Sequence, residues 1–157
     1  MGKKGDMARA MFYEGYNCSQ CVAVAFCGET GIPRETMLRL SVGFGGGMGR
    51  LREVCGAVSG VVLVLGLLYG DDSPTCKAAI YPVVQQLAGQ YRAENGSIVC
   101  KELLGLNKPE GSPVPEARTP EYYKKRPCPA LIARAADMLA EYIAEHPPRP
   151  ADGRKEV

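Results

Sequence analysis

The chain is organised around residues 53–69, which read EVCGAVSGVVLVLGLLY. This stretch contains the most apolar run of the sequence, interrupted by the small residues Gly56, Ser59, Gly60 and Gly66. The run falls short of the ~20 consecutive apolar residues that a bilayer-spanning helix needs. We therefore expect a buried central helix rather than a membrane span.

Helix signals on both sides of this stretch predict an all-α fold. N-cap residues, first-turn prolines and closing glycines delimit helices at residues 5–15, 18–28, 33–42, 53–69, 74–95, 98–104 and from 127 onward. A glycine-rich loop at residues 43–49 precedes the central helix, because glycine is costly inside a helix. The prediction is a single compact bundle of about six helices over residues 1–145, followed by a disordered C-terminal tail at residues 146–157.

Composition excludes several classes of function. A chain of 157 residues suits one domain that buries its own core. The net charge is +2 with both signs mixed along the chain, and there is no Trp and only three Phe, so neither the basic surface nor the stacking residues of a nucleic-acid binder are expected. We recognise no secretory leader at the N-terminus. The expected location is cytoplasmic, with no membrane partner.

Cysteine is the unusual residue of this sequence. There are seven, an odd number that excludes complete internal disulfide pairing. In a reducing compartment, many cysteines indicate metal binding or redox chemistry more often than a disulfide scaffold. Five of them fall at predicted helix starts, where the helix dipole stabilises the thiolate that binds metals and attacks disulfides: Cys18, Cys55, Cys76, Cys100 and Cys128.

The residues alone leave several cysteine chemistries open. Cys18 and Cys21 have the CxxC spacing of a thiol–disulfide oxidoreductase, although the βαβ context of thioredoxin-like folds is missing. The only histidine, His146, lies in the predicted tail, so an all-thiolate site is the remaining ligand set, and four thiolates suit zinc or iron–sulfur.

Two groups of small residues are candidates for cofactor contacts. The glycine loop does not fit G-x-G-x-x-G or a P-loop, but its N–H groups could meet the sulfurs of a cluster or a small anionic ligand. The strip of small residues beside Cys55 suits either a bulky cluster or a closely packed helix, and it is compatible with a homodimer. The candidate cofactor-binding residues are Gly45, Gly46, Gly47, Gly56 and Gly60.

The order of these motifs resembles the C_GCAxxG_C_C family, whose members are described as redox-active. The resemblance runs from about residue 7 to residue 143 and is carried by Asn17-Cys18, the glycine loop, CGAVSG at 55–60, CKELLG at 100–105 and Cys128. It implies that the functional set is Cys18, Cys55, Cys100 and Cys128, and that Cys21, Cys27 and Cys76 are additions. A related module occurs in split-Soret cytochromes, where an iron–sulfur centre has been suggested.

The resulting prediction is a redox-active protein with three alternative chemistries. In the first, the four cysteines of the functional set bind one iron–sulfur cluster, of the [2Fe–2S] type, for electron transfer with an unidentified redox partner protein. In the second, Cys18 and one partner cycle between dithiol and disulfide. In the third, a structural Zn(Cys)₄ site holds an interaction domain together. Whether the chain is an oxidoreductase or an electron carrier stays open.

Overall fold

A computed structural model describes residues 2–106 and 111–150. The helices are α1 (Lys3–Tyr13), α2 (Cys18–Val24), α3 (Cys27–Thr30), α4 (Arg34–Ser41), α5 (Gly45–Met48), α6 (Gly56–Tyr69), α7 (Lys77–Asn95), α8 (Cys100–Leu103), α9 (Pro120–Lys125) and α10 (Cys128–Glu145), with a short 3-10 turn at Val42–Phe44. No strand is present in these two ranges, where the β-structure is limited to an isolated antiparallel bridge between Val54 and Val99. The predicted all-α class is confirmed.

Helix α2 begins as the sequence predicts. The Asn17 side chain accepts a hydrogen bond from the Gln20 N–H at 3.0 Å, and the Gln20 side chain accepts one from the Asn17 N–H at 3.1 Å. This reciprocal pair is a capping box, which satisfies two N–H groups that a helix start leaves unpaired. The Asn17 amide also donates to the Val42 carbonyl at 2.9 Å, so the same residue ties α2 to the glycine segment.

Helix α6 forms the centre of the core and contacts α2, α7 and α10. Its second half buries large apolar side chains, among them Val64 and Leu65 at 0% exposure. Its first half lies in close contact with α2. A Cβ at Gly60 would lie only 3.0 Å from both the Ser19 carbonyl oxygen and the Val22 Cβ of α2. The predicted start at residue 53 is three residues early, since residues 53–55 are extended.

The glycine segment is a set of tight turns rather than an open loop. Gly46 and Gly47 have φ of 67° and 70°, in the left-handed region that glycine adopts at low cost. Space is also restricted at Gly47, where a Cβ would lie 2.7 Å from the Cys100 Cβ and from the Glu53 nitrogen. Both the backbone conformation and the close approach therefore require glycine here.

Several predicted boundaries change for local reasons. The helix predicted at 18–28 breaks into α2 and α3 around Ala25 and Phe26. Helix α7 begins three residues later than predicted and continues through Pro82 without splitting. Helix α9 lies between the predicted helices at 98–104 and from 127 onward, and the Thr119 side chain caps its start by accepting a hydrogen bond from the Tyr122 N–H.

Asp137 is a buried charged residue of α10, although its helix carries charged residues on the solvent side. It is only 8% exposed, and its carboxylate accepts hydrogen bonds from the Gly2 and Gly5 N–H groups at 2.8 and 2.7 Å. Asp137, on α10, thus caps the N-terminus of α1. This is a long-range contact that the periodicity of either helix does not predict.

The predicted C-terminal tail is described only as far as residue 150. Residues 146–150 follow α10 without further helix, and residues 151–157 lie outside the described part, so disorder of the tail stays a prediction. Among the described residues, none of the helices combines the length and apolarity that crossing a bilayer would take.

Candidate functional site

The four cysteines of the predicted functional set line one cavity of about 70 Å³. Each lies at a helix start: Cys18, Cys100 and Cys128 are the first residues of α2, α8 and α10, and Cys55 is the N-cap of α6. The structure thus brings together residues separated by up to 110 positions (18 to 128) in the sequence. The remaining three cysteines lie elsewhere.

The bridge between Val54 and Val99 sets two of these cysteines side by side. The Cys55 N–H donates to the Ile98 carbonyl at 2.7 Å, and the Cys100 N–H donates to the Glu53 carbonyl at 2.6 Å. This short antiparallel pairing fixes the register of the two segments, so that Cys55 and Cys100 enter the cavity wall together. The sequence does not predict this pairing, because a single bridge of this kind has no periodic signal.

Cys18 lies directly over the start of α6. A Cβ at Gly56 would lie 2.3 Å from the Cys18 Sγ and 2.9 Å from the Phe44 carbonyl oxygen, well inside van der Waals contact. Glycine at position 56 therefore makes room for the Cys18 sulfur at the cavity wall. This assigns Gly56 a place in the site, whereas Gly60, four residues later, packs against α2.

Three of the four sulfurs face hydrogen-bond donors. The Gly46 N–H bonds to Cys18, and the Ala57 and Val58 N–H groups bond to Cys55. The Tyr91 hydroxyl lies 3.5 Å from the Cys55 Sγ, and the Arg52 guanidinium donates to the Cys100 Sγ at 3.6 Å. Donors aimed at sulfur stabilise its anionic form, which is the form that coordinates a metal.

Burial nevertheless favours the protonated form of three of these thiols, Cys18, Cys55 and Cys128. It raises the pKa of Cys18 and of Cys55 above their usual range, and it raises the pKa of Cys128 to about 11 although Arg126 and Arg52 act in the opposite direction. The expectation that a helix start lowers these pKa values is wrong for the three residues, because loss of solvation outweighs the helix dipole.

Arginines form the polar part of the cavity wall, and sequence analysis missed them. Arg52 is 6% exposed and has φ of 61°, a left-handed backbone conformation that is uncommon outside glycine and that clusters at functional sites. Arg118 donates to the Phe12 and Tyr16 carbonyls at 2.9 and 3.1 Å. Arg126 is the third arginine that lines the cavity. Positive charge close to buried sulfur favours an anionic occupant.

The extra cysteines do not join the cavity wall. Cys21 is fully buried in the core, its Sγ lies 3.7 Å from the Tyr16 carbonyl oxygen, and burial raises its pKa to about 12. Cys18 and Cys21 therefore face different surroundings, although their spacing matches a CxxC motif. Cys27 begins α3 and Cys76 is the N-cap of α7, both half-buried and away from the cavity.

The candidate glycines divide between the cavity and the packing around it. Gly46 and Gly56 line the cavity. Gly45 packs against Asn17, Gly47 packs against Cys100, and Gly60 packs against α2. The small-residue strip on α6 is thus occupied within the chain, and the oligomeric state stays a prediction.

The donor set fits a sulfur-ligated group by its chemistry. Four thiols line one cavity, and several backbone and side-chain donors point at the sulfurs. Within residues 2–106 and 111–150, no three Cys, His, Asp or Glu side chains lie close enough together to hold one metal ion. A tetrahedral zinc site, with Zn–S distances of about 2.3 Å, would therefore require the sulfurs to move closer together.

Comparison with known proteins places the chain in a family. Neither curated proteins nor solved structures give a match. A family model described as "Putative redox-active protein (C_GCAxxG_C_C)" matches residues 16–142, which include all four cysteines of the cavity. The chain therefore belongs to the C_GCAxxG_C_C family.

Proposed function

We propose that this chain is an electron-transfer protein in which Cys18, Cys55, Cys100 and Cys128 ligate one iron–sulfur cluster, of the [2Fe–2S] type. The observation that carries the proposal is the convergence of these four cysteines, from four separate helix starts, on one cavity. Such a cluster supplies one-electron chemistry and takes four cysteine thiolates as ligands. Four sulfurs spread around a cavity suit a two-iron group better than a single tetrahedral ion.

The surroundings of the sulfurs support ligation over free thiol chemistry. A nucleophilic dithiol needs at least one thiolate near neutral pH, whereas burial raises the pKa of Cys18, Cys55 and Cys128. Metal coordination replaces the thiol proton with a cation, so the loss of solvation that raises these pKa values opposes ligation less than it opposes a free thiolate. Arg52 and Arg126 would then offset the negative charge of the thiolates.

The hydrogen bonds to sulfur give the protein a means of setting a reduction potential. Tyr91 and the Ala57 and Val58 N–H groups contact Cys55, and Arg52 contacts Cys100. Donors to ligating sulfur stabilise the more negative, reduced state. Burial of Cys55 and Cys100, at 7% and 8% exposure, limits the access of water to these ligands.

The test is analysis of metal and acid-labile sulfide, with an absorption spectrum, on protein purified without oxygen. The proposal predicts iron and sulfide in matched amounts and visible bands that disappear in Cys55→Ala. Zinc alone would replace it with a structural zinc site. A metal-free protein would favour the thiol–disulfide alternative, and titration of the Cys18 thiol would then be the next measurement.

A further inference from the structure

A second cavity of about 250 Å³ adjoins the cysteine cavity. The two share part of their wall, formed by Asn17, Gly46, Arg52, Arg118, Tyr122 and Arg126. Arg50 and Glu116 line only the second cavity, so its described lining contains four arginines and one carboxylate. We call it the arginine cavity.

Glu116 marks the place in the arginine cavity where an anion is held. Its Oε1 accepts a hydrogen bond from the Arg126 guanidinium and lies 3.7 Å from the Arg50 Nη2. The two arginine side chains are only 11% and 15% exposed, whereas Glu116 is 43% exposed. An exposed carboxylate from a proline-rich segment thus reaches between two enclosed guanidinium groups.

The other two arginines are fixed in position before any ligand arrives. Arg118 is anchored by the Phe12 and Tyr16 carbonyls, and its guanidinium lies 4.3 Å from the centre of the Phe12 ring. Arg52 is held against the Cys100 sulfur at 3.6 Å. Planar guanidinium groups held in this way bind oxyanions through paired, charge-assisted hydrogen bonds with little loss of side-chain freedom.

We propose that the arginine cavity binds a small multivalent oxyanion, of the sulfate or phosphate type, which displaces the Glu116 carboxylate from Arg50 and Arg126. The volume, below the ~300–1,000 Å³ of cavities that enclose drug-sized ligands, favours a small anion. The binding stands on the arginine cavity alone. That the anion is the ligand or substrate of the adjoining redox site rests on the proposed function.

The experiment is calorimetric titration of the full-length protein with sodium sulfate and with inorganic phosphate, using sodium chloride at matched ionic strength as the control. Arg126→Gln and Arg50→Gln should each weaken binding at least about tenfold, because each removes charge-assisted hydrogen bonds. Glu116→Gln should tighten binding about threefold or more, since an internal competitor lowers the apparent affinity. Glu121→Gln, with the same change in net charge on α9, should leave the affinity unchanged.

Titration with adenosine monophosphate distinguishes a site for a free oxyanion from a site for the phosphate group of a larger molecule. Equal or tighter binding of the nucleotide would assign the cavity to the phosphate group of a larger molecule, and weaker binding would assign it to a free oxyanion. Equal affinities in wild type and Arg126→Gln, or the same effect from Glu116→Gln and Glu121→Gln, would overturn the proposal.

The two glutamate variants also keep the test decisive if an arginine variant fails to fold. Iron and sulfide content, measured on the same preparations, reports on the proposed function independently. If the protein contains iron but does not bind the oxyanion, the proposed cluster stands and the arginine-cavity proposal is overturned. If it binds the oxyanion but contains no iron, the arginine-cavity proposal stands and the proposed cluster is overturned.

Discussion

The two halves of α6 show how one helix serves two purposes. The first half, from Gly56 to Gly60, is built from small residues that let the Cys18 sulfur and helix α2 come close. The second half carries Val64, Leu65 and Leu68, which are fully or almost fully buried. Small residues leave space for the cysteine cavity, and large residues supply the apolar burial that stabilises the bundle. The comparison predicts that substitutions in the two halves have different consequences.

The largest effect on stability is expected in the second half. Leu65→Ala should lower the free energy of unfolding by about 2–5 kcal/mol, because it removes a fully buried side chain and leaves a void. Urea unfolding followed by circular dichroism measures the change. Leu63→Ala, at a half-buried position on the same helix, should cost clearly less. Equal losses at the two positions would contradict the placement of the core.

Glycine to alanine substitutions toward the two ends of α6 should change the free energy of unfolding in opposite directions. A Cβ at Gly56 meets the Cys18 Sγ at 2.3 Å, so Gly56→Ala should destabilise the protein by about 1–3 kcal/mol through overpacking. Gly66 is exposed with no atom within 4 Å of its added Cβ, so Gly66→Ala should stabilise by about 0.5–1 kcal/mol. Thermal unfolding of both variants is the measurement, and stabilisation by Gly56→Ala would refute the close approach.

The core packed against α6 should also make stability depend on pH. The Cys21 thiol has a pKa of about 12 in the folded protein, against ~8.5 for an ordinary cysteine. Between these values the unfolded chain binds fewer protons, so the free energy of unfolding falls as the pH rises. Cys21→Ala should reduce this slope by on the order of 1 kcal/mol per pH unit. Urea unfolding at pH 8 and pH 10 under reducing conditions measures it, and an unchanged slope would argue against burial of the thiol.

The smallest effect is expected at the donor to Cys55. Tyr91→Phe removes the hydroxyl that lies 3.5 Å from the Cys55 Sγ and keeps the ring. If the cavity holds the proposed cluster, its reduction potential should become more negative, while stability should change by about 1 kcal/mol or less. Tyr81→Phe, on the same helix but 61% exposed, is the matched control. A redox titration in which both variants shift equally would exclude a specific role for Tyr91.

The sequence predicts the local features of this fold better than its long-range ones. The N-cap at Asn17, the apolar central helix and the helix-start positions of the four cavity cysteines follow from residues close together in the sequence. The pairing of Cys55 with Cys100 depends on a bridge between distant segments, and burial of Asp137 depends on the start of α1. The chain has no local signal for either.

The site could be predicted only in part for the same reason. The motif order singled out the four cysteines that line the cavity, whereas Arg52, Arg118 and Arg126 reach the cavity wall through tertiary packing. Tyr91 reaches the Cys55 sulfur in the same way. The expected lowering of thiol pKa values failed because the helix-dipole argument considers one helix at a time. In the folded protein, the surrounding elements remove water from the sulfurs, and that larger effect decides the sign.

The most direct test of a four-cysteine cluster site is the iron and acid-labile sulfide content of wild type and two single-cysteine variants, all purified without oxygen. Cys100→Ala removes a cysteine of the cavity, and Cys21→Ala removes one from the core. If the four cysteines hold one iron–sulfur cluster, iron, sulfide and visible absorption are expected in wild type and in Cys21→Ala, and all three should be lost in Cys100→Ala. Absence of iron from the wild type, or equal loss in both variants, would contradict the proposed cluster.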